Sequence, residues 1–268
     1  MPLVPATANT EPLTPRRPRL GLIKPLEIRL ANASCFDFLA SLPTGCVDLV
    51  LIDPPYEISR ETGFSSVGEH GVPRLGVNMD FGRWDYHFIG LSDVIKEAHR
   101  VLRTGGTFVC FYDLWKLSQL KELMDDAKFK QLRFIEWLKT NPVPINSKIN
   151  YLTNSREIAL LGVKGGKPTF NARYHRGVYE FPICHEKGRF HPTQKPLPLF
   201  KALIETHSRP GDLVLDCFSG SGTTAHAAME TGRRFIGCEL DPQFHSQSID
   251  RLRHAAADRP ADFALFKE

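Results

Sequence analysis

Asp216-Cys217-Phe218-Ser219-Gly220-Ser221-Gly222-Thr223-Thr224 follows the apolar run Leu213-Val214-Leu215 and precedes the small-residue segment Ala225 to Met229. A leucine and valine run feeding two glycines one residue apart, then a helix-compatible stretch, predicts strand, tight turn and helix. Glycine at 220 and 222 permits backbone conformations closed to other residues and lets a flat or anionic group approach the main chain at the helix start. Arg234 to Cys238 predicts a second short strand, and Glu239 after it is placed to accept from two ribose hydroxyls. The spacing Gly220, Gly222, Ala225 also satisfies the dinucleotide fingerprint with alanine in its last position. A nucleoside ligand is therefore expected, its identity open at this point.

Upstream, Val47-Asp48-Leu49-Val50-Leu51-Ile52 is a near-continuous apolar run ending in Asp53-Pro54-Pro55-Tyr56. Such a run predicts a buried parallel strand, and the tetrapeptide falls at its carboxyl end, where open α/β sheets bind ligands. Further strands are expected at Glu27 to Ala31, Thr107 to Tyr112, Phe134 to Leu138 and Ile158 to Val163. Helices are expected over Ser34 to Ser41, from Leu91 until Gly105-Gly106, around Leu114 to Met124, over Leu197 to Thr206, after the glycine turn, and from the cap Asp241-Pro242 to about His254. The alternation predicts one doubly wound α/β domain with a mostly parallel seven-stranded sheet.

The remaining segments read differently. Residues 1–24 are proline-rich, carry Arg16, Arg17, Arg19 and Lys24, and predict a flexible basic arm. Residues 25–256 form the folded domain and 257–268 a tail. Within the domain the aperiodic stretch 57–85, with five glycines, is expected to be a mobile loop beside the tetrapeptide. Between Lys164 and Lys195 seven basic residues face two acidic ones, interleaved with Phe170, Tyr174, Tyr179, Phe181 and Phe190. That mixture suits phosphate contacts with base stacking, or a structured loop whose aromatics pack inward.

Bulk composition narrows the class. With 268 residues, 42% apolar and 24% charged, the chain can bury a full core, and its net charge of +4 permits a polyanionic partner without demanding one. No apolar run approaches the ~20 residues needed to span a bilayer, and the amino end lacks a signal-peptide core, so a cytoplasmic location with no membrane partner is expected. The six cysteines form no CxxC pair, which predicts free thiols and no metal site.

The tetrapeptide carries the chemistry. A proline pair donates no N–H and cannot continue a ladder, which leaves carbonyls at the strand end beside a carboxylate and an aromatic ring. Those groups suit a planar amine such as that of adenine. Its lone pair is delocalised into the ring until acceptors hold its hydrogens, here Asp53 Oδ and the Pro54 carbonyl, with Tyr56 stacked on the base.

Four motifs then stand in a telling order: Asp53-Pro54-Pro55-Tyr56, His191-Pro192-Thr193-Gln194-Lys195-Pro196, the 216–224 turn, and Gly237-Cys238-Glu239. Together with Trp137-Leu138-Lys139-Thr140-Asn141-Pro142 they resemble the β-class S-adenosylmethionine-dependent DNA amino-methyltransferases, whose catalytic motif precedes the cofactor motif. The resemblance runs from about Glu27 to His254. It implies a Rossmann-like methyltransferase fold of permuted motif order, S-adenosylmethionine as cofactor, and methylation of adenine N6, on a base flipped out of double-stranded DNA. The catalytic residues would be Asp53, Pro54, Pro55 and Tyr56.

The cofactor would be held by Asn32, Ser34, Cys35, Asp53, Thr193, Lys195, Asp216, Phe218, Ser219, Gly220, Ser221, Gly222, Thr223, Thr224 and Glu239, with Lys195 on the methionine carboxylate. Where most relatives carry Gly-Asp this chain has Ala33-Ser34, so Ser34 or Asn32 is expected at the cofactor's adenine. The segment 164–190 would be the target-recognition insert, and Lys139, Asn141, Arg173, Arg176, Lys187 and Arg189 would touch DNA. A second copy of the chain and a cognate restriction endonuclease are partners that such relatives have. Cytosine N4 is the competing target, since relatives acting there more often begin the tetrapeptide with serine. A structured RNA substrate, an NAD-dependent oxidoreductase and a non-catalytic DNA-binding module are the other readings, the last two leaving the tetrapeptide idle.

Overall fold

The structure, a computed structural model, describes residues 26–55, 90–143, 152–184, 189–257 and 263–265. The expected arm, the 57–85 loop, Tyr56 and Lys187 lie outside the described residues. In chain order the strands are β1 (Leu26–Asn32), β2 (Val47–Ile52), β3 (Leu102–Tyr112), β4 (Lys130–Lys139), β5 (Arg156–Val163), β6 (Val178–Phe181), β7 (Leu213–Asp216), β8 (Arg234–Glu239) and β9 (Phe263–Leu265). The helices are α1 (Cys35–Ser41), α2 (Leu91–Val101), α3 (Leu117–Asp126), α4 (Leu197–His207), α5 (Thr223–Glu230) and α6 (Pro242–Ala257).

All seven expected strands form, and the sheet gains one more at each edge, in the order β6-β4-β5-β3-β2-β7-β8-β1-β9. Only β5 runs antiparallel to its neighbours β3 and β4. The edge strand β6 comes from the basic insert and β9 from the segment expected to be a tail; three and four residues carry too little periodicity to announce themselves. The helix expected to run to Gly105-Gly106 instead ends at Val101, because Leu102 already pairs with Val47 as the first residue of β3.

The centre of the sheet explains where the site falls. β2 and β7 are adjacent and parallel, with Leu49 opposite Val214 and Val50 opposite Leu215. From β2 the sheet continues outward to β3, and from β7 in the other direction to β8, so the two strands flank a topological switch point. Alternation along β2 sends Leu49 and Leu51 into a core shared with α4, α5 and α6, and Val50 and Ile52 into a core shared with α1, α2 and α3. Val47, Leu49, Val50, Leu51 and Ile52 are at most 1% exposed. At ~1.5–3 kcal/mol each they contribute on the order of 10 kcal/mol before conformational entropy. The one polar residue of the strand, Asp48, accepts from the Leu213 N–H at 2.8 Å and pairs with Arg103, which ties β7 and β3 to it.

The insert is fastened to the domain. The Asn171 side-chain amide donates to the Glu205 and Ser208 carbonyls, both at 2.7 Å, satisfying acceptors left over at the end of α4. No helix among the described residues is long and apolar enough to cross a membrane.

Candidate active site

Asp216 ends β7 and folds the glycine turn around itself. Its carboxylate accepts from the Phe218 N–H at 2.9 Å and from Thr224 Oγ1 at 2.5 Å. Glu239, the last residue of β8, accepts from the Gly220 N–H at 2.7 Å and from the Asp241 N–H at 2.9 Å. The turn, β8 and the start of α6 therefore meet on one carboxylate. Asp241 in turn caps α6, accepting from the Gln243 and Phe244 N–H groups. The two glycines are required for different reasons. Gly220 has φ +49°, and a Cβ on it would stand 3.2 Å from His191 Nε2 across the cavity wall. Gly222 has φ +73°, and a Cβ there would stand 3.2 Å from Ser248 Cβ, so it serves the packing of α6 against the turn.

Above the turn lies a cavity of ≈ 400 Å³, within the ~300–1,000 Å³ usual for small-molecule sites. Its lining joins flat apolar surface from Phe36, Phe218, Phe244 and Leu240 to the Glu239 carboxylate and the hydroxyls of Thr193, Ser221, Thr223 and Thr224. Ser219 also lines it, and its Oγ is buried with no hydrogen-bond partner among the described residues. A nucleoside carrying a polar amino-acid tail fits that donor set. Burial pushes the Asp216 carboxyl up to about 7, against the hydrogen bonds from Thr224 and Phe218, with the Asp53 and Glu239 charges adding to the rise. Burial likewise raises Glu239 and lowers His191 to about 4, so the imidazole is neutral. The His191 ring lies 4.5 Å from that of Phe244, tilted 58° to it, and its Nδ1 lies 3.2 Å from Thr193 Oγ1.

A second cavity, of ≈ 670 Å³, opens on the other side of the tetrapeptide. The register that puts Val50 opposite Leu215 carries Asp53 and Phe218, each three residues further on, to the same rim of the sheet. Asp53, Pro55, Thr193, Gln194 and Lys195 line both cavities. Trp137, Trp115 and Tyr112 supply aromatic surface in the second, together with Lys139, Arg156, Glu157 and Arg189. Trp137 is fixed by its indole N–H, which donates to the Phe181 carbonyl of β6 at 2.9 Å. Charge runs along the shared wall: Lys195 Nζ is 2.5 Å from Asp53 Oδ2 and 3.0 Å from Glu157 Oε2, and Lys139 Nζ is 2.8 Å from Glu157 Oε1.

Most of the residues expected at the cofactor therefore share one cavity: Ser34, Cys35, Asp53, Thr193, Lys195, Asp216, Phe218, Ser219, Gly220, Ser221, Thr223, Thr224 and Glu239. Three of the expected residues have other partners in this structure. Asn32 does not line it; its amide donates to the Glu239 and Leu240 carbonyls, at 2.8 and 3.1 Å, and staples β1 to the end of β8. Gly222 does not line it either, for the packing reason given above. Lys195, which lines the cavity, holds its ammonium within ion-pair distance of two carboxylates, Asp53 and Glu157.

Among the residues expected at the DNA, Asn141 accepts at its Oδ1 from the Ile183 N–H at 2.7 Å and anchors the insert. Arg189 holds the His191 and Pro192 carbonyls, bracing the loop between the cavities, and Lys139 is committed to Glu157. Arg173 and Arg176 are exposed, the former 5.7 Å from the Tyr174 ring. Phe36 ends the segment from Asn32 that the resemblance sets beside the cofactor's adenine, and it lines the cavity; sequence reasoning missed Glu157, Leu240 and Phe244, which no motif contains. Ser34 lies in the cavity wall but caps α1, its Oγ accepting from the Asp37 N–H at 3.1 Å and donating to Asp37 Oδ2.

A nucleoside-sized cavity and an aromatic second cavity, meeting at one carboxylate on the switch point of a parallel sheet, are what a group-transfer enzyme needs. The chain belongs to the DNA methylase family of N6 and N4 amino-methyltransferases, which it matches over residues 47–250. It is 30% identical to the type II methyltransferase M2.DpnII of Streptococcus pneumoniae over 83% of this chain and 88% of that one. Among solved structures it is similar to M1.HpyAVI in complex with S-adenosylmethionine, with TM-score 0.63 and 26% identity over 84% of this chain and 99% of that one. The fold is also that of the cytosine-N4-specific PvuII DNA methyltransferase, at TM-score 0.64 and 19% identity over 85% and 88%. The protein is thus an S-adenosylmethionine-dependent DNA methyltransferase with the expected mostly parallel α/β fold.

Proposed function

We propose that the chain methylates the N6 amine of adenine in double-stranded DNA, with the target base swung out of the helix into the second cavity. The observation that carries this reading is the position of Asp53 in the wall common to both cavities. When bound in the first cavity, S-adenosylmethionine supplies a methyl group made electrophilic by its sulfonium sulfur. Glu239 would accept from the ribose hydroxyls, and the hydroxyls of Thr193, Ser221, Thr223 and Thr224 would take the amino-acid tail.

Asp53 Oδ and the Pro54 carbonyl would accept the two amine hydrogens and bias the nitrogen toward the tetrahedral geometry in which its lone pair is available. Transfer would form the N–C bond as the methyl–sulfur bond breaks, leaving S-adenosylhomocysteine, and the Asp53 carboxylate would stabilise the positive charge the nitrogen acquires. The nitrogen then becomes strongly acidic and loses its proton, so Asp53 acts by position and charge more than by basicity. Tyr56, next after Pro55, would stack on the base, with the aromatic wall of Trp137 and Tyr112 enclosing it. Phosphate register would come from exposed groups such as Arg173 and Arg176.

An aspartate at the head of the tetrapeptide supports adenine over cytosine. The experiment is nucleoside analysis of duplex DNA after incubation with the protein and methyl-labelled cofactor. Label in N6-methyladenosine is the expected result; label in N4-methylcytidine would overturn the choice of base.

A further inference from the structure

Glu157 belongs to none of the motifs, yet it sits against the catalytic carboxylate's partner. In β5 it pairs with Trp137 of β4, and Lys139, two residues along β4, projects to the same face. The result is a chain of alternating charge, Asp53, Lys195, Glu157, Lys139, with side chains 18%, 9%, 26% and 13% exposed. All four line the second cavity. The charges sum to zero, which is what a poorly solvated cluster requires.

A catalytic acceptor has a conflicting need. Asp53 must stay anionic and oriented, but an ammonium 2.5 Å away competes for the lone pairs that have to meet the amine. Lysine has three donors, and a second carboxylate at 3.0 Å draws on that ammonium from elsewhere. Lys139, at 2.8 Å, balances the second carboxylate so that it does not strip Lys195 away altogether.

We propose that Glu157 is a positioning residue for methyl transfer: it shares Lys195 with Asp53, and thereby keeps Asp53 oriented yet strong enough as an acceptor to activate the amine. Burial opposes the ionisation of Glu157, but the Lys195 and Lys139 charges outweigh it and hold the carboxyl below its ordinary value. The inference rests on the amine-transfer reading above and holds for either base.

The test compares single-turnover and steady-state kinetics on duplex DNA for the full chain and three variants, with cofactor affinity from calorimetry. Glu157→Gln removes the carboxylate that competes with Asp53 for Lys195, and kcat is expected to fall about 10- to 100-fold, less than the ~10²- to 10³-fold cost of losing a direct transition-state contact. The cofactor Kd should stay within about twofold, since the lost interaction acts on the reacting amine. Glu157→Asp keeps a second carboxylate for Lys195, and its kcat should exceed that of Glu157→Gln by roughly fivefold or more. A purely structural role would make the shortened side chain equal to or worse than the isosteric Glu157→Gln, and that outcome overturns the proposal.

So does a Glu157→Gln enzyme with kcat within about threefold of the wild type. If Glu157→Gln does not fold, Lys139→Met alone decides: it turns Glu157 fully on Lys195, and a kcat reduced as far as cofactor or DNA affinity would contradict the sharing. A wild-type chain that transfers no methyl group to DNA would sink the amine-transfer reading together with the inference, whereas wild-type transfer with unaffected variants sinks the inference alone.

Discussion

Binding of S-adenosylmethionine near pH 6 should expel a proton from the protein, and Asp216 is the group that gives it up. Burial pushes this carboxyl to about 7 from an ordinary 3.8, so at pH 6 roughly nine-tenths of the free protein carries it protonated. The cofactor brings a sulfonium, an ammonium and one carboxylate, a net positive charge, into the cavity that Asp216 lines. A cation there favours the ionised carboxylate, so binding should release up to about 0.9 proton per site at pH 6. As pH rises toward about 7 the cofactor affinity should climb by up to about tenfold per pH unit.

Stability of the free protein should move the opposite way. Because the folded state binds the extra proton between about 4 and 7, unfolding free energy falls as pH rises through that window, by at most about 4 kcal/mol. Calorimetric titrations in buffers of different ionisation enthalpy count the protons directly. S-adenosylhomocysteine, which lacks the sulfonium charge, should release fewer, and Asp216→Asn should release close to none. Equal apparent enthalpies in all buffers at pH 6, or an unchanged proton count in Asp216→Asn, would refute the reasoning.

Three shorter predictions concern other parts of the site. Asp53→Ala should lower kcat by ~10²- to 10³-fold, the usual cost of losing one preorganised transition-state contact, while cofactor binding by calorimetry stays near the wild-type value; near-wild-type turnover would contradict the acceptor role. Glu239→Ala should weaken cofactor binding by ~1–3 kcal/mol, read as Kd, and also loosen the turn, because Gly220 and Asp241 lose their shared acceptor. Gly222→Ala should lower the melting temperature by several degrees, since the left-handed conformation costs a side chain about 1–2 kcal/mol and the added Cβ stands against Ser248; an unchanged transition would mean the turn has another conformation in solution.

What the sequence disclosed follows a physical pattern. Groups that need a special backbone announce themselves: the two glycines, the proline pair after an apolar strand, and Asp241-Pro242 at the head of α6 all stand where their local chemistry predicts. The seven strands were legible because each buries side chains from one or both faces of a sheet. β6 and β9 were not, being short edge strands held by backbone pairing that almost any sequence can make. Nor could the sequence say how polar side chains divide between ligand and scaffold. Asn32 and Asn141 looked like ligands, and both spend their amides on main-chain groups that fold brings near. Glu157 was invisible for the converse reason: its importance comes from a cross-sheet neighbour, Lys195, thirty-eight residues away in the chain and 3.0 Å away in space.

The permuted order of the motifs has a structural consequence. Strands β3 to β6, between β2 and β7 in the chain, build the half of the sheet beside the second cavity, β1, β7 and β8 the half beside the first, and Thr193 to Lys195 of the loop before α4 line both. Asp53, at the end of β2, and Lys195, in the loop before α4, form an ion pair in the wall common to both cavities. Residues of the second cavity away from that wall can therefore change which DNA is read without touching the cofactor. That independence is a physical reason for one fold to serve both a cytosine-N4 enzyme and, as proposed here, an adenine-N6 enzyme. Substitutions at Trp137 or Tyr112 should accordingly alter base discrimination with cofactor Kd unchanged, while substitutions at Lys195, in the common wall, should alter both.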